Sequence, residues 1–470
     1  MLATAVIRAL HLGLLFAGAV LALDHPTEQG EPAISRASPF LAQNPASPPS
    51  ARSSRLVERT NEKYVFAQFI VGVVESYTQS DWEKDMRLAM DVGIDAFSLN
   101  IGKDSYNDKQ LDLAYTAADN VDFKVFISFD FAYWRNEDLN TMGAYVQNYA
   151  TRPGQFMYPR QGQPAAFVSS FLGDRFPYRT LESQLEDGLK LFACPNWEPD
   201  SFVLDSTNGP DCGMSWNAAW PNNYNQPIDA NITIALDQEY INNLGGRPYM
   251  MPVSPWFSTH YGVDTYNKNW IFYSDWLYQS RWDEVLHLQP QFVEILTWND
   301  FGESHYIGPL HDDDWSVYTG GDTGASRWVN QMPHDAWRDV AKVYISAFKS
   351  GASWPTTDKL VYYYRPTPKD TPCSDDIGRP NGWQYDDDLV FVIAMLVSPG
   401  TVTIASGSEN APVQFQLDAG IHTVAAPMGL GKQSFALWSE TADISGDGGL
   451  EITDECTVYN FNAYVGSVVA

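Results

Sequence analysis

From Tyr64 onward the chain alternates short apolar runs with amphipathic stretches. The runs cover residues 64–72, 94–101, 124–131, 165–173, 190–197, 213–220, 248–256 and 292–298. Continuous apolar runs of this length suit strands of a parallel sheet whose outer face is covered. One-sided helical patterns lie between them. Ser80-Asp81-Trp82-Glu83 reads as a capping box, after which Trp82, Met86, Ala89 and Met90 share a face. In the eighth helix Trp337, Val340, Ala341, Tyr344, Ile345 and Phe348 do the same. Repeated β–α units of this kind predict an α/β fold, a (β/α)8 TIM barrel over residues 61–355. A doubly wound open sheet is the competing architecture.

Past Thr356 the rhythm changes. Strand-like runs at 360–364, 389–396, 402–405, 413–417, 422–425 and 434–438 are separated by Pro, Gly and Asp, with no convincing helix. They predict a C-terminal antiparallel β-sandwich over residues 356–470. At the other end, Arg8 precedes an apolar run over 12–23 that closes on Val20-Leu21-Ala22, a small-residue cleavage pattern. The run is too short to span a bilayer, so residues 1–22 read as a signal peptide of a secreted protein, with no membrane attachment after its removal. Residues 23–60 are rich in Pro, Ser and Ala and predict a disordered leader or propeptide.

Composition narrows the partner. Hydrophobic residues make up 44%, enough to bury a large core. Acidic residues outnumber basic ones by 58 to 29, a formal charge of −29, which disfavours nucleic acid and anionic membrane surfaces but not a neutral partner. The 16 tryptophans suit sugar rings, whose apolar faces stack on indole, and equally a large aromatic core. Cys194, Cys212, Cys373 and Cys456 show no zinc spacing and fit an oxidising compartment. Three pairings are open; Cys194–Cys212 with Cys373–Cys456 keeps each bridge within one domain. Asn231-Ile232-Thr233 is a glycosylation acceptor sequence. The eight histidines have no HExxH-type spacing, so no metal and no cofactor is expected.

Barrel chemistry sits where strands end. Strand 2 ends in Asn100. Strand 3 ends in Asp130, with Tyr133 and Trp134 following. Strand 6 carries Trp216 and Asn217, strand 7 leads to Trp256, His260 and Tyr261, and strand 8 runs into Trp298-Asn299-Asp300-Phe301-Gly302-Glu303-Ser304-His305-Tyr306. Glycoside hydrolysis needs one carboxylic acid to protonate the leaving oxygen and a second carboxylate to activate water or attack carbon. Asp300 and Glu303 are three apart, and a turn at Gly302 lets both enter one pocket. They are the expected catalytic pair, Glu303 as acid and Asp300 as base, with the opposite assignment open. Asn100, Asp130, Trp134, Trp216, Trp256, His260, Tyr261, Trp298, Asn299, His305 and Tyr306 are the expected substrate-binding residues.

These segments resemble glycoside hydrolase family 71, the fungal endo-1,3-α-glucanases called mutanases. The resemblance rests on Tyr64-Val65-Phe66-Ala67-Gln68-Phe69, on Gly93-Ile94-Asp95-Ala96-Phe97-Ser98-Leu99-Asn100-Ile101-Gly102, on Met251-Pro252-Val253-Ser254-Pro255-Trp256-Phe257, and on Trp298 to Ser304. It implies a barrel with an appended sandwich and cleavage of α-1,3-glucan with inversion. It also implies Asp300 and Glu303 as the catalytic pair and Asp130 as a further important acid. Gln68 stands where the family commonly has His, and Trp216-Asn217 where Trp-Asp is common. The expectation is thus a secreted, extracellular or cell-wall, monomeric enzyme acting on fungal α-1,3-glucan through an open groove. Inversion further predicts carboxyl groups about 6.5–9.5 Å apart. The competing functions are a wall-glucan-binding protein without catalysis and a hydrolase of another α-linked polysaccharide or a mannan.

Overall fold

Phenylalanines on alternate positions organise the first half of the fold. Phe66, Phe126, Phe167, Phe192 and Phe292 point to one side of their strands and form a single buried cluster, with Phe66–Phe126 and Phe66–Phe167 centroids 5.0 and 5.4 Å apart. The intervening Val65, Ala67, Phe69, Val125 and Val293 point the other way, into a core shared with the helices. Both faces are therefore apolar, which is why these strands read as unbroken apolar runs.

The computed structural model describes residues 34–37, 62–205, 209–311, 324–351 and 355–469. The expected signal peptide and most of the expected leader lie outside them. Residues Ala33–Ala470 form one compact unit. Its parallel strands are β1 (Tyr64–Ile70), β2 (Ala96–Ile101), β3 (Lys124–Asp130), β4 (Gln163–Phe171), β5 (Leu191–Pro195), β6 (Gly213–Met214), β7 (Tyr249–Val253) and β8 (Phe292–Ile295). The α-helices of six residues or more between and after them are α1 (Gln79–Val92), α2 (Asn107–Val121), α3 (Leu139–Tyr149), α4 (Tyr178–Ser183), α5 (Pro199–Leu204), α6 (Ala235–Leu244), α7 (Leu277–Leu288) and α8 (Trp337–Ser350). The strands make one curled, parallel-rich sheet in which β1 lies between β2 and β8. Met157–Arg160 adds an antiparallel strand against β4.

Local details depart from the sequence pattern. The cap of α1 lies two residues earlier, at Thr78: the Asp81 carboxylate accepts from Thr78 N–H at 2.9 Å and from Thr78 Oγ1 at 2.7 Å. Trp82, Met86 and Ala89 are buried, but Met90 turns outward at 41% exposure. The strand expected over 213–220 stops at Met214, after which Ser215 bonds the Tyr249 hydroxyl and a 3-10 turn takes Asn217–Ala219. All six expected core positions of α8 are buried.

After α8 come two antiparallel sheets. One has β9 (Lys359–Tyr364), β10 (Leu389–Leu396), β13 (Gly420–Pro427) and β16 (Tyr464–Val469); the other has β11 (Gly400–Ser406), β12 (Val413–Leu417), β14 (Gln433–Ser439) and β15 (Asp443–Asp447). Strand β10 is buried along its whole length. Phe391 meets Trp276 at the start of α7 (5.1 Å between centroids), while Val390 and Val392 join Val402, Phe415 and Phe435 on the other side. Ile34–Ala37, within the segment expected to be disordered, pairs antiparallel with β13, and Arg36 lies 4.4 Å from the Trp276 ring centre. The Arg36 guanidinium also donates to the exposed Asn231 at 3.2 Å. Cys194 and Cys212 form one disulfide (Cα–Cα 4.6 Å) and Cys373 and Cys456 the other (4.9 Å).

Candidate active site

Strand β8 ends at Ile295, and the chain then doubles back. Thr297 N–H donates to His305 O at 2.8 Å and Gly308 N–H to Trp298 O at 2.7 Å, so residues 298–305 form a closed loop at the strand end. Asn299 ties this loop to β1: its Oδ1 accepts from Ile70 N–H at 2.7 Å and its Nδ2 donates to Ile70 O at 3.1 Å. The left-handed residue of the turn is Ser304 (φ 61°), not Gly302. Gly302 is needed for space, because a Cβ there would stand 1.8 Å from the Tyr261 hydroxyl. This folding aims Asp300 and Glu303 into one cleft.

The two carboxylates have unequal surroundings. Lys268 Nζ donates to Glu303 Oε1 at 2.6 Å, and His305 Nε2 lies 3.1 Å from Glu303 Oε2 and 3.6 Å from Asp300 Oδ2. Burial works against a charge on Glu303, but the Lys268 ammonium and His305 outweigh it and hold the carboxyl well below the usual range. Asp300 receives one backbone N–H, from Glu303 at 3.1 Å. Burial, and then the charge of Glu303, push its carboxyl up to about 6. One oxygen of the Asp300 carboxylate lies within 4.8 Å of one oxygen of Glu303. With His305 these residues also present three donor atoms that a divalent cation could bridge, although Lys268 already neutralises the most acidic of them.

The cleft above the pair has a volume of about 230 Å³ and is open to solvent. Asn100 and Asp130 line it from the ends of β2 and β3, as do Asp104 and Tyr106 from the loop after β2. Tyr133, Tyr261 and Tyr266 supply aromatic surface, and Lys268 is the only cation among the described lining residues. Burial pushes the Asp130 carboxyl up to about 6, against the Ala132 N–H it accepts at 2.8 Å.

Of the residues expected at the site, Asn100, Asp130, Tyr261, Asp300 and Glu303 come together here, with the buried His305 directly behind. Trp216 is half-buried beside His305 (centroids 6.3 Å) and lies off the cleft lining. Six others are structural. Trp134 is buried and donates to Ile101 O at 2.9 Å. Trp256 faces the C-terminal sheets and donates to Phe461 O at 2.8 Å. His260 bonds Asp375 at 2.7 Å and Asn269 at 2.8 Å. Trp298 packs on Phe97, Asn299 braces β1, and Tyr306 stacks on His334 at 3.9 Å. Large rings next to strand ends were drawn into the core because burying them removes much apolar surface from water.

Lys268, Tyr266 and Asp104 were not foreseen. Lys268 and Tyr266 sit in the connection between the short strands Ser258–His260 and Asn269–Ile271 after β7. The only available signal was chemical: two close carboxylates in an acidic chain call for a nearby cation.

The family described as glycosyl hydrolase family 71 matches residues 61–470. A mutanase of Penicillium rubens is 45% identical over 436 residues, covering 90% of this chain and 93% of that protein. A glucan endo-1,3-alpha-glucosidase of Schizosaccharomyces pombe is 36% identical, covering 88% and 96%. Among solved structures, a GH99 endo-alpha-mannosidase of Bacteroides thetaiotaomicron aligns with a TM-score of 0.45 at 13% identity, over 61% of this chain and 98% of that one.

Proposed function

Because the chain belongs to glycosyl hydrolase family 71, we propose that it hydrolyses α-1,3-glucan as an endo-acting, secreted, monomeric enzyme of fungal walls. The observation that carries this reading is the Asp300–Glu303 pair, polarised by Lys268 and His305 at the floor of an open cleft. The glucan comes from the names of the two fungal relatives. Secretion is supported by the two disulfides. No described helix is long and apolar enough to cross a membrane.

The polarisation supports the opposite of the first assignment, the alternative that the sequence left open. Asp300, whose proton is retained to about pH 6, donates it to the glycosidic oxygen as the bond from C1 to that oxygen breaks. Glu303, held ionised, takes a proton from the water whose oxygen bonds to C1. Inversion needs room for a water between Glu303 and the sugar. Asp300 is the member freer to make that room, since Glu303 meets Lys268 at 2.6 Å and His305 at 3.1 Å, while Asp300 has one backbone N–H and a longer 3.6 Å contact to His305.

We also propose that the curled sheet is a (β/α)8 barrel, supported by the parallel bridge Asn196–Met214 and the Cys194–Cys212 disulfide between β5 and β6. The two C-terminal sheets read as a β-sandwich, supported by the single cluster they share.

Replacing Glu303 with Gln tests the activity. Reducing ends released from α-1,3-glucan should fall by about 10²–10⁴-fold. A loss of less than tenfold overturns the assignment, and a panel of defined α-glucans and mannans identifies the linkage.

A further inference from the structure

Trp438 is the only exposed tryptophan among those described, at 67% exposure, and it stands on an inner strand of a sheet, one residue from the strand's end. It projects from β14 on the outer face of the β12–β11–β14–β15 sheet, opposite the face that carries the buried Phe435 and Leu437. The register lays out its surroundings. One row across the sheet reads Gln416, Thr401, Trp438, Asp443. The next reads Gln414, Thr403, Ala436, Ser445. Ala436 is small, so the indole face is not covered by its neighbour two residues along the strand. Gln416 Nε2 donates to Thr401 Oγ1 at 2.9 Å, which keeps amide and hydroxyl at the level of the ring. No cation stands in either row, and Asp443, paired with Trp438, offers a carboxylate able to accept hydrogen bonds.

A flat indole flanked by hydroxyl, amide and carboxylate groups offers an apolar face to a sugar ring and hydrogen-bond partners to the hydroxyls around its rim. Anions are disfavoured by Asp443, and an apolar partner would strand the polar groups on both sides. We propose that this face is a second carbohydrate site, which holds an α-1,3-glucan chain on Trp438 away from the catalytic cleft. It rests on the reading of α-1,3-glucan as the substrate. Tethering to an insoluble polymer raises the local concentration of chains at the cleft without changing the chemistry there.

The test uses the full-length protein, its Trp438→Ala variant, and both again in the Glu303→Gln background, where binding is measured without hydrolysis. Partition onto insoluble α-1,3-glucan should weaken about tenfold in Trp438→Ala, the scale of one aromatic contact, and Trp438→Tyr should restore most of it. The rate on insoluble α-1,3-glucan at low enzyme loading should fall in parallel. Hydrolysis of soluble α-1,3-oligosaccharides should stay within twofold of wild type, with unchanged thermal melting. Unaltered partition in Trp438→Ala overturns the site, as does a Trp438-dependent dimer in sedimentation, which would make the face an interface between copies. Cleavage of soluble α-1,3-oligosaccharides without Trp438-dependent binding removes this inference and leaves the activity. Trp438-dependent binding without any α-1,3-glucan cleavage does the reverse.

Discussion

Lys268 Nζ donates to Glu303 Oε1 at 2.6 Å, joining the loops after β7 and β8 across 35 residues of sequence. Lys268 in turn is held charged by Glu303 against its own burial. The pair therefore decides which of the two site carboxylates is ionised. Lys268→Met should lower kcat/KM on α-1,3-glucan by about 10²-fold, because Glu303 loses the cation that keeps it a base. An enzyme within fivefold of wild type would show that His305 alone suffices.

The pH profile should be broad and acidic. Glu303 is depressed, so activity persists well below pH 4; Asp300 is raised to about 6, so activity falls as pH climbs through that value and the acid loses its proton. Lys268→Met should move the acidic limb upward and leave the alkaline limb nearer its place. Rates between pH 2.5 and 8 on soluble oligosaccharides measure both limbs, and a rate that rises above pH 6 contradicts the assigned roles.

Asp375 lies between β9 and β10 and accepts from His260 at 2.7 Å and from Tyr459 N–H at 3.0 Å. His260 in turn sits on the hairpin that leads to Tyr266 and Lys268. Neighbouring Asn381 pairs with the same hairpin, through Ile271 N–H and Asn269 O, both at 2.9 Å. Asp375→Ala leaves His260 without its buried acceptor, a cost of about 1–3 kcal/mol. Thermal melting should drop by several degrees and kcat should fall with little change in KM. Activity unchanged at a lowered melting temperature would separate the brace from the site.

Glu294 is buried beneath the cleft on β8; burial raises its carboxyl to about 8, and Oε1 lacks a hydrogen-bond partner. Its folded pKa lies above the unfolded value. The stability it contributes is thus full in acid and is lost as pH rises through about 8. Glu294→Gln removes that titration. Melting temperature should rise relative to wild type at pH 8 and differ little at pH 4; an equal shift at both pH values would rule out proton linkage at this position.

Inversion makes a β anomer the first product of an α-linked glucan. Proton NMR within the first minutes of reaction reads it directly. An initial α anomer contradicts inversion and makes Asp300 and Glu303 a retaining pair, for which carboxyls about 5–5.5 Å apart are usual.

The series of strands and helices and the loop after β8 were legible in the residue pattern. Strands covered on both faces must be apolar at every position, so β1, β3 and β4 were visible as runs. Asp300, Gly302 and Glu303 were visible because their relation is local, three residues in one turn at the end of β8. Which side chains reach the cleft was not legible there, because it depends on how distant segments pack. Trp134, Trp256 and Trp298 stand where a sugar platform was expected, yet a strand end has both an inner and an outer direction, and their apolar area was claimed by helices and by the C-terminal sheets. Lys268 and the brace at His260 depend on segments 35 and 115 residues away in sequence. Nothing in local pattern carries such a distance, because hydrophobic periodicity records which face is buried and not what it is buried against.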